Sequence, residues 1–402
     1  MLKCSPWIWI KGFPVKMERK KSRLIKILIE IVVVIVMVMI IFKLVEYFTG
    51  VNPMDNLFKR KEALENINEV AAKLTREVDQ GVDGEVVLYM KDIPDEELKS
   101  INYIMSNLNG SIDSYSVYPK LFGVRRVSFT IVRSDNSYVF DAYKNGTPIP
   151  QNRPEAQKLL VRVKQILGDN LSGVMTDYQK ELKLHDYLVE HCTYSHGSSE
   201  NDNEYRAYGA LVEGEAVCNG YAEAMDLMLS CAGVQNQYVV GTANSGSRRY
   251  SSDQQAGDES GRTENHAWNL VLVNGTWYHL DATWDDPMGD EEIVSHAYFN
   301  MSDDLMARDH IWDKEKYDSC PDMSWNYFHR ENAYFENSYD LDRYVTQRLM
   351  IRPYGTMECA FSQFEMTNTT LTGINTVPTI KKVMYSTIGG FNFTVLTLYV
   401  SQ

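Results

Sequence analysis

Cys218 sits in Gly214-Glu215-Ala216-Val217-Cys218-Asn219-Gly220-Tyr221-Ala222. A short apolar approach, a thiol and then small or flexible residues lead into Ala222, Met225, Leu229 and Ala232. That spacing of i, i+3, i+7, i+10, with Gly233 as a stop signal, predicts a helix that begins at the cysteine. A thiol there faces the N–H groups of the first turn, whose partial positive charge favours thiolate over thiol. Downstream come Glu264-Asn265-His266-Ala267-Trp268-Asn269 and Tyr278-His279-Leu280-Asp281-Ala282-Thr283-Trp284. A cysteine, a histidine and an aspartate in this order supply a nucleophile, a base and an orienter for covalent catalysis. Each is common alone; the ordered set is not.

The residues between the histidine and the aspartate fix how the two can meet. Asn269–Val273 and Thr276–Asp281 flank Asn274-Gly275, the strongest short-range signal for a two-residue type I′ hairpin. Cross-strand partners then pair Val273 with Thr276, Leu270 with His279, Trp268 with Asp281 and His266 with Thr283. His266 and Asp281 fall on one face as diagonal neighbours, with Cβ atoms roughly 7 Å apart or less. A single β-bulge would break this parity. His279 shares the face but lies nearer the turn and reads as packing or rim. Asp285 has the right parity one step beyond; Asp286 has the wrong parity. Trp268, Trp277 and Trp284 read as core and pocket wall before binding platforms, with Trp268 and Tyr221 as the candidate substrate contacts. His185 lies on an apolar stripe with Tyr178, Leu182, Val189 and Cys192, the usual setting of a core histidine. The acidic run Asp285, Asp286, Asp290, Glu291 and Glu292 lacks regular calcium-ligand spacing and reads as a solvated loop.

The 402 residues can bury a substantial core and predict two or three domains. Residues 1–50 carry nine Lys/Arg against three Glu, a net of +6, so the remainder carries −20 of the chain's net −14. An acidic body argues against nucleic acid as a partner. The basic start precedes Leu24–Phe42, 19 almost wholly apolar residues, about the length that spans a bilayer. Lys26 and Glu30 fall in its first turns, where Lys26 can snorkel. Lys11, Lys16, Arg19, Lys20, Lys21 and Arg23 precede the span and Lys43 follows it, so the positive-inside bias places the N-terminus in the cytosol and residues 50–402 outside the cell. The flank Lys43–Phe48 lacks a small-x-small cleavage pattern, which favours an uncleaved single-pass anchor over a signal peptide.

Six cysteines are present: Cys4, Cys192, Cys218, Cys231, Cys320 and Cys359. With Cys4 cytosolic and Cys218 catalytic, four remain and allow three pairings, none demanded by spacing. There is no Cys-x-x-Cys, and His191-Cys192 with His196 lacks a second ligand pair; the expectation is no metal and no cofactor.

Five segments follow: a basic segment 1–23, an anchor 24–43, a helix plus small α+β domain 51–154, a catalytic domain 155–312 and a C-terminal α/β extension 313–402. In the first of the outer segments, Leu57, Leu64, Ile67, Ala71, Leu74 and Val78 form one helical stripe that packs onto the next domain. Val86–Met90 is a strand, Leu98, Ile101, Met105 and Leu108 mark a helix, and Val124–Val132 with Tyr138–Tyr143 reads as a hairpin around Ser134-Asp135-Asn136. Thr176-Asp177-Tyr178-Gln179 is a capping box. Ala243–Thr263 is a long polar loop that delivers the chain to His266. After Trp312, two helix-like and three strand-like segments end in Phe391–Val400.

Over about residues 155–312, and most densely at Gly214–Ala222, His266–Asn269 and Trp277–Trp284, the chain resembles the transglutaminase-like superfamily, a branch of the papain-like cysteine enzymes. The resemblance implies an α+β core in which a cysteine-bearing helix packs against an antiparallel sheet carrying the histidine and aspartate. It implies Cys218 as nucleophile, His266 as base and Asp281 as orienter of acyl transfer from protein or peptide amides, by way of a thioester, to an amine or to water. The backbone N–H of Cys218 would contribute to an oxyanion hole. The competing reading is a catalytically silent member of the same fold that binds a wall or surface partner.

Overall fold

The computed structural model describes residues 15–105, 109–195, 202–244, 263–286, 294–351, 355–361, 380–388 and 393–400. Contacts divide the chain into two compact units, Met1–Met105 with Ile112–Val132, and Ser106–Ser111 with Arg133–Gln402.

In the first unit, α1 (Val15–Thr49) has no interior Gly or Pro. Its segment Arg23–Thr49 is long and apolar enough to cross a membrane, and its apolar window is wholly exposed. The stripe from Leu57 to Val78 is not one helix. Asn52 caps α2 (Pro53–Lys59) and Asn66 caps α3 (Ile67–Asp79), each through its side-chain oxygen. The second cap restarts the helix, and between the two helices Leu64 bridges to Met90. The expected packing of α3 is present: Val70, Ala71, Leu74 and Val78 are buried. They meet β1 (Gly84–Met90), α4 (Asp95–Lys99), α5 (Ile101–Met105), β2 (Gly110–Val117) and β3 (Arg125–Arg133) in a core that includes Leu98, Phe129 and Ile131. The sheet order is β1-β3-β2.

The hairpin anticipated around Ser134-Asp135-Asn136 does not form. Ser134 accepts the Ser137 N–H at 3.2 Å and starts α6 (Asp135–Asn145), which Gly146 closes in the left-handed conformation. The same three residue types signal a turn and an N-cap, and here the cap prevails. Helix α6 buries Val139 in the core of the second unit, so the boundary anticipated at 154 falls at Val132–Arg133.

The second unit continues with α7 (Pro154–Asn170) and α8 (Asp177–His191), the latter begun by the Thr176–Gln179 capping box. Strand β4 (Thr193–Tyr194) pairs in parallel with β5 (Glu215–Ala216). Helix α9 (Cys218–Ala232) follows, stopped by Gly233 in the left-handed conformation. It is apolar on most of its circumference and therefore central. Next come β6 (Asn236–Asn244), β7 (Thr263–Val273), β8 (Thr276–Leu280), α10 (Ala282–Asp285), β9 (Phe299–Met301), α11 (Asp303–Met306) and β10 (His310–Trp312). The antiparallel sheet runs β10-β6-β7-β8-β9. Helix α9 packs on β6 and β7, burying Tyr221, Met225, Val271 and Tyr278 together. A side chain such as Met225 contributes roughly 1.5–3 kcal/mol by burial.

The C-terminal segment adds α12 (Tyr327–Arg330), β11 (Tyr334–Phe335), α13 (Ser338–Ile351), β12 (Gly355–Phe361), β13 (Ile380–Ile388) and β14 (Phe393–Val400), with sheet order β11-β12-β14-β13. It is no separate body: Phe328, Phe361 and Leu396 share one apolar core with Trp268 and Trp284. The fold is α+β, a cysteine-bearing helix against an antiparallel sheet.

Candidate active site

Cys218 is the first residue of α9, preceded by Val217 in extended conformation as N-cap. The Val217 N–H donates to the Glu204 carbonyl at 2.9 Å, and the Tyr221 N–H to the Val217 carbonyl at 3.2 Å. Cys218, Asn219 and Gly220 thus hold the N–H groups at the head of the helix, which have no intrahelical acceptor. Gly220 is required by space: a Cβ there would lie 2.5 Å from the Glu204 carbonyl oxygen and 2.7 Å from the Ala216 Cβ. The thiol, 7% exposed, points within 3.7 Å of the Asn219 Oδ1, and the Asn219 amide donates to the Tyr238 hydroxyl at 2.8 Å.

His266 stands on β7 opposite Gly241 of β6. A Cβ at Gly241 would lie 2.3 Å from the Ile311 carbonyl oxygen and 2.7 Å from the Trp268 ring, so glycine lets the sheet close around the histidine. The His266 Nε2 lies 2.7 Å from the Asp281 Oδ2. Burial disfavours charge on this ring, but the Asp281 carboxylate, then the hydrogen-bonded Cys218 thiol, raise His266 to about 9. Asp281 is fully buried. Burial alone would push it up; His266 and His310 together hold it well below the usual carboxylate range. With Nε2 committed to Asp281, Nδ1 is the nitrogen left for the thiol.

The hairpin register matches the expectation, from Val273 opposite Thr276 to Asn269 opposite Leu280. Pairing ends at Leu280. Asp281 is not the ladder partner of Trp268 but the N-cap of α10, its Oδ1 accepting the N–H groups of Thr283 and Trp284 at 3.1 Å each. The cap fixes one oxygen and turns the other towards His266.

A second histidine at this carboxylate was not foreseen. The His310 Nε2 lies 3.1 Å from the same Asp281 Oδ2, and its Nδ1 lies 2.7 Å from the Asp309 Oδ1. The Asp309 Oδ2 accepts the Tyr298 hydroxyl at 2.7 Å. The available signal was the alternation in β10, where His310 and Trp312 face inward and Ile311 outward.

Trp268 and Tyr221, expected as substrate contacts, do not face solvent: they are 1% and 0% exposed. The Trp268 Nε1 donates to the His279 Nδ1 at 2.9 Å, and its ring stacks 5.9 Å from that of His266 at 24°. The Tyr221 hydroxyl donates to Asp286 at 2.5 Å. Both are packed inside the fold, their polar atoms bonded to neighbouring side chains. His279 is buried, not at a rim, between Trp268 and Asp303. His185 lies in the core, bonded to Asp186 and Asp285. The five described cysteines are free thiols; burial raises Cys192 and Cys231 to about 12. His191 is exposed and bonds the Tyr187 carbonyl, apart from buried Cys192. Cys4, His196, the loop at 245–262, Asp290, Glu291 and Glu292 lie outside the described residues.

Residues 165–282 match the family model of the transglutaminase-like superfamily. The chain is similar to kyphoscoliosis peptidase of Homo sapiens, 23% identical over 184 residues that cover 42% of this chain and 27% of that protein. The Mus musculus protein of the same name is 24% identical over 183 residues, covering 43% and 26%. The matched part thus spans about a quarter of these relatives' length. A solved structure described as a TGase aligns at 12% identity and a TM-score of 0.26, over 51% of this chain and 52% of that one.

Proposed function

Residues 165–282 form a transglutaminase-like core, and we propose that it is a cysteine-dependent acyl-transfer enzyme acting on protein or peptide amides. Cys218 is the nucleophile, His266 the general base and acid, and Asp281 the orienter. The observation that carries this reading is the convergence of three elements on one imidazole. The head of α9 brings the thiol, β7 brings the ring, and the cap of α10 brings a carboxylate 2.7 Å from its far nitrogen.

In the first half-reaction the Cys218 thiolate attacks the amide carbonyl, forming the C–S bond while the carbonyl electrons move onto oxygen. The Cys218 N–H at the helix head donates to that oxyanion. Protonated His266 passes its proton to the departing nitrogen, leaving a thioester. In the second half an amine or water attacks, His266 takes its proton, and the thiolate is released beside the protonated ring. Asp281 holds the ring in one tautomer and favours its charged form. Water as acceptor accords with the peptidase name carried by the similar proteins. In this reading helix α1 is a membrane anchor, and its basic N-terminal flank argues for an enzymatic unit on the outer side.

Casein incubated with the full chain in detergent and a biotin-tagged alkylamine tests the reading. Cys218-dependent tag incorporation would establish amine transfer; Cys218-dependent ammonia release or new N-termini would establish hydrolysis. If a panel of protein substrates yields none of the three above the level of Cys218→Ala, the enzyme reading is wrong.

A further inference from the structure

A second cluster of histidines and carboxylates lies outside the proposed active site. Helix α8 supplies His185 and Asp186, the segment before β9 supplies His296, α10 supplies Asp285, and β12 supplies Glu358. The His185 Nδ1 lies 3.2 Å and the His296 Nε2 3.0 Å from the same oxygen, Asp186 Oδ1. Each ring meets another carboxylate at its other nitrogen: His185 Nε2 is 3.2 Å from Asp285 Oδ2, and His296 Nδ1 is 2.7 Å from Glu358 Oε2.

A neutral imidazole has a single N–H. Each of these rings faces a carboxylate oxygen at both nitrogens, so one nitrogen per ring turns a lone pair towards a carboxylate unless a cation stands between. Two imidazolium ions would also satisfy the contacts, their mutual repulsion at a 5.3 Å ring separation offset by the three carboxylates around them. One divalent cation satisfies them with both rings neutral. The two inner nitrogens lie 3.2 and 3.0 Å from the shared Asp186 oxygen, close to the roughly 3.3 Å that separates ligands about 2 Å from a tetrahedral centre. All three atoms lie within 4.8 Å of one another, so a small shift of the rings gathers them around one ion. Asp285 and Glu358 then act as carboxylate partners that orient metal-ligating histidines.

We propose that His185 Nδ1, His296 Nε2 and the Asp186 carboxylate form a binding site for a divalent transition metal of the zinc class. Two imidazoles and one carboxylate suit zinc; calcium and magnesium require oxygen-rich shells. The Asp186 side chain is 28% exposed, which gives the ion an entry path and room for water as a further ligand. A bound ion ties α8 to β12 through the His296–Glu358 pair. Among the described residues two other clusters have comparable donor types. At His279, the Trp268 indole N–H occupies Nδ1, so the proton sits on Nε2 against Asp303 and no lone pair remains for a metal. At His266 and His310, the shared Asp281 is wholly buried.

The full chain in detergent, stripped with a chelator and titrated with zinc, is expected to bind one equivalent and to unfold at a higher temperature. Cobalt in place of zinc should give visible d–d bands without a sulfur-to-metal charge-transfer band. His296→Gln and Asp186→Asn should weaken zinc binding by at least about 100-fold, and Glu358→Gln by about 10–100-fold. Cys218→Ala and His310→Gln should bind as the wild type does. Absence of zinc binding by the wild type, retention in both His296→Gln and Asp186→Asn, or a thiolate–cobalt band would each overturn the proposal. The cobalt spectrum needs no variant, so it decides even if the substitutions impair folding.

Discussion

Two histidine–carboxylate networks are built into the same compact unit from the same kinds of bond, and they differ in what the histidines have left over. At His266, one nitrogen is held by Asp281, and the Cys218 thiol stands beside the ring. At His185 and His296, carboxylates hold both nitrogens of each ring. A ring with one nitrogen committed and a thiol beside it can take a proton and return it. A ring committed on both faces can only be held, by protons or by a metal. Burial does not separate the two sites, since all three rings are buried; what stands at each ring's second nitrogen does.

The largest test of this contrast exchanges a carboxylate for its amide in each network. Asp281→Asn keeps the oxygen that caps α10 and loses the charge that orients His266. Its turnover should fall on the order of 10⁴-fold. Glu358→Gln, the matching change in the other network, should leave turnover within about twofold. Similar losses in both variants would erase the distinction.

A smaller effect concerns pH. His266 is raised to about 9 with burial opposed by Asp281, so the charged ring that protonates the leaving nitrogen persists below that value and is lost above it. Activity should fall about tenfold between pH 8 and pH 10, along a single-proton limb. A limb near 6.5, the ring's ordinary value, would mean that Asp281 does not hold the charge.

The smallest expected effect is at His310, the second donor on Asp281. His310→Asn removes one hydrogen bond of about 1 kcal/mol, so kcat should drop about fivefold with KM unchanged, and the alkaline limb should shift. An unchanged pH profile would reduce His310 to packing.

Much of the site was legible because two signals are local. Asn274 and Gly275 both adopt positive φ, 51° and 86°, as a type I′ turn requires, and the register follows from that alone. Cys218 at a helix start was legible from apolar spacing and Gly233. What sequence could not supply was where the ladder stops. Ala282–Asp285 is too short to show a helical period, so the capping role of Asp281 stayed hidden. His310 arrives on a strand at the far edge of the sheet, beside β6, and no spacing rule links it to residue 281. His185 reads as an isolated core histidine until α8 meets the segment before β9, which carries His296. Ser134 failed for another reason: one residue trio encodes both a turn and a cap, and only the burial of Val139 decides between them.

The central claim is that Cys218 is a nucleophile activated by His266. Alkylation of the full chain with a small thiol-directed electrophile at pH 7, followed by peptide mass spectrometry, tests it without a known substrate. Cys218 should be modified at least about tenfold faster than Cys192, Cys231, Cys320 or Cys359, and His266→Ala should remove that advantage. Equal rates at all five thiols, or a fast Cys218 indifferent to His266→Ala, would contradict the account.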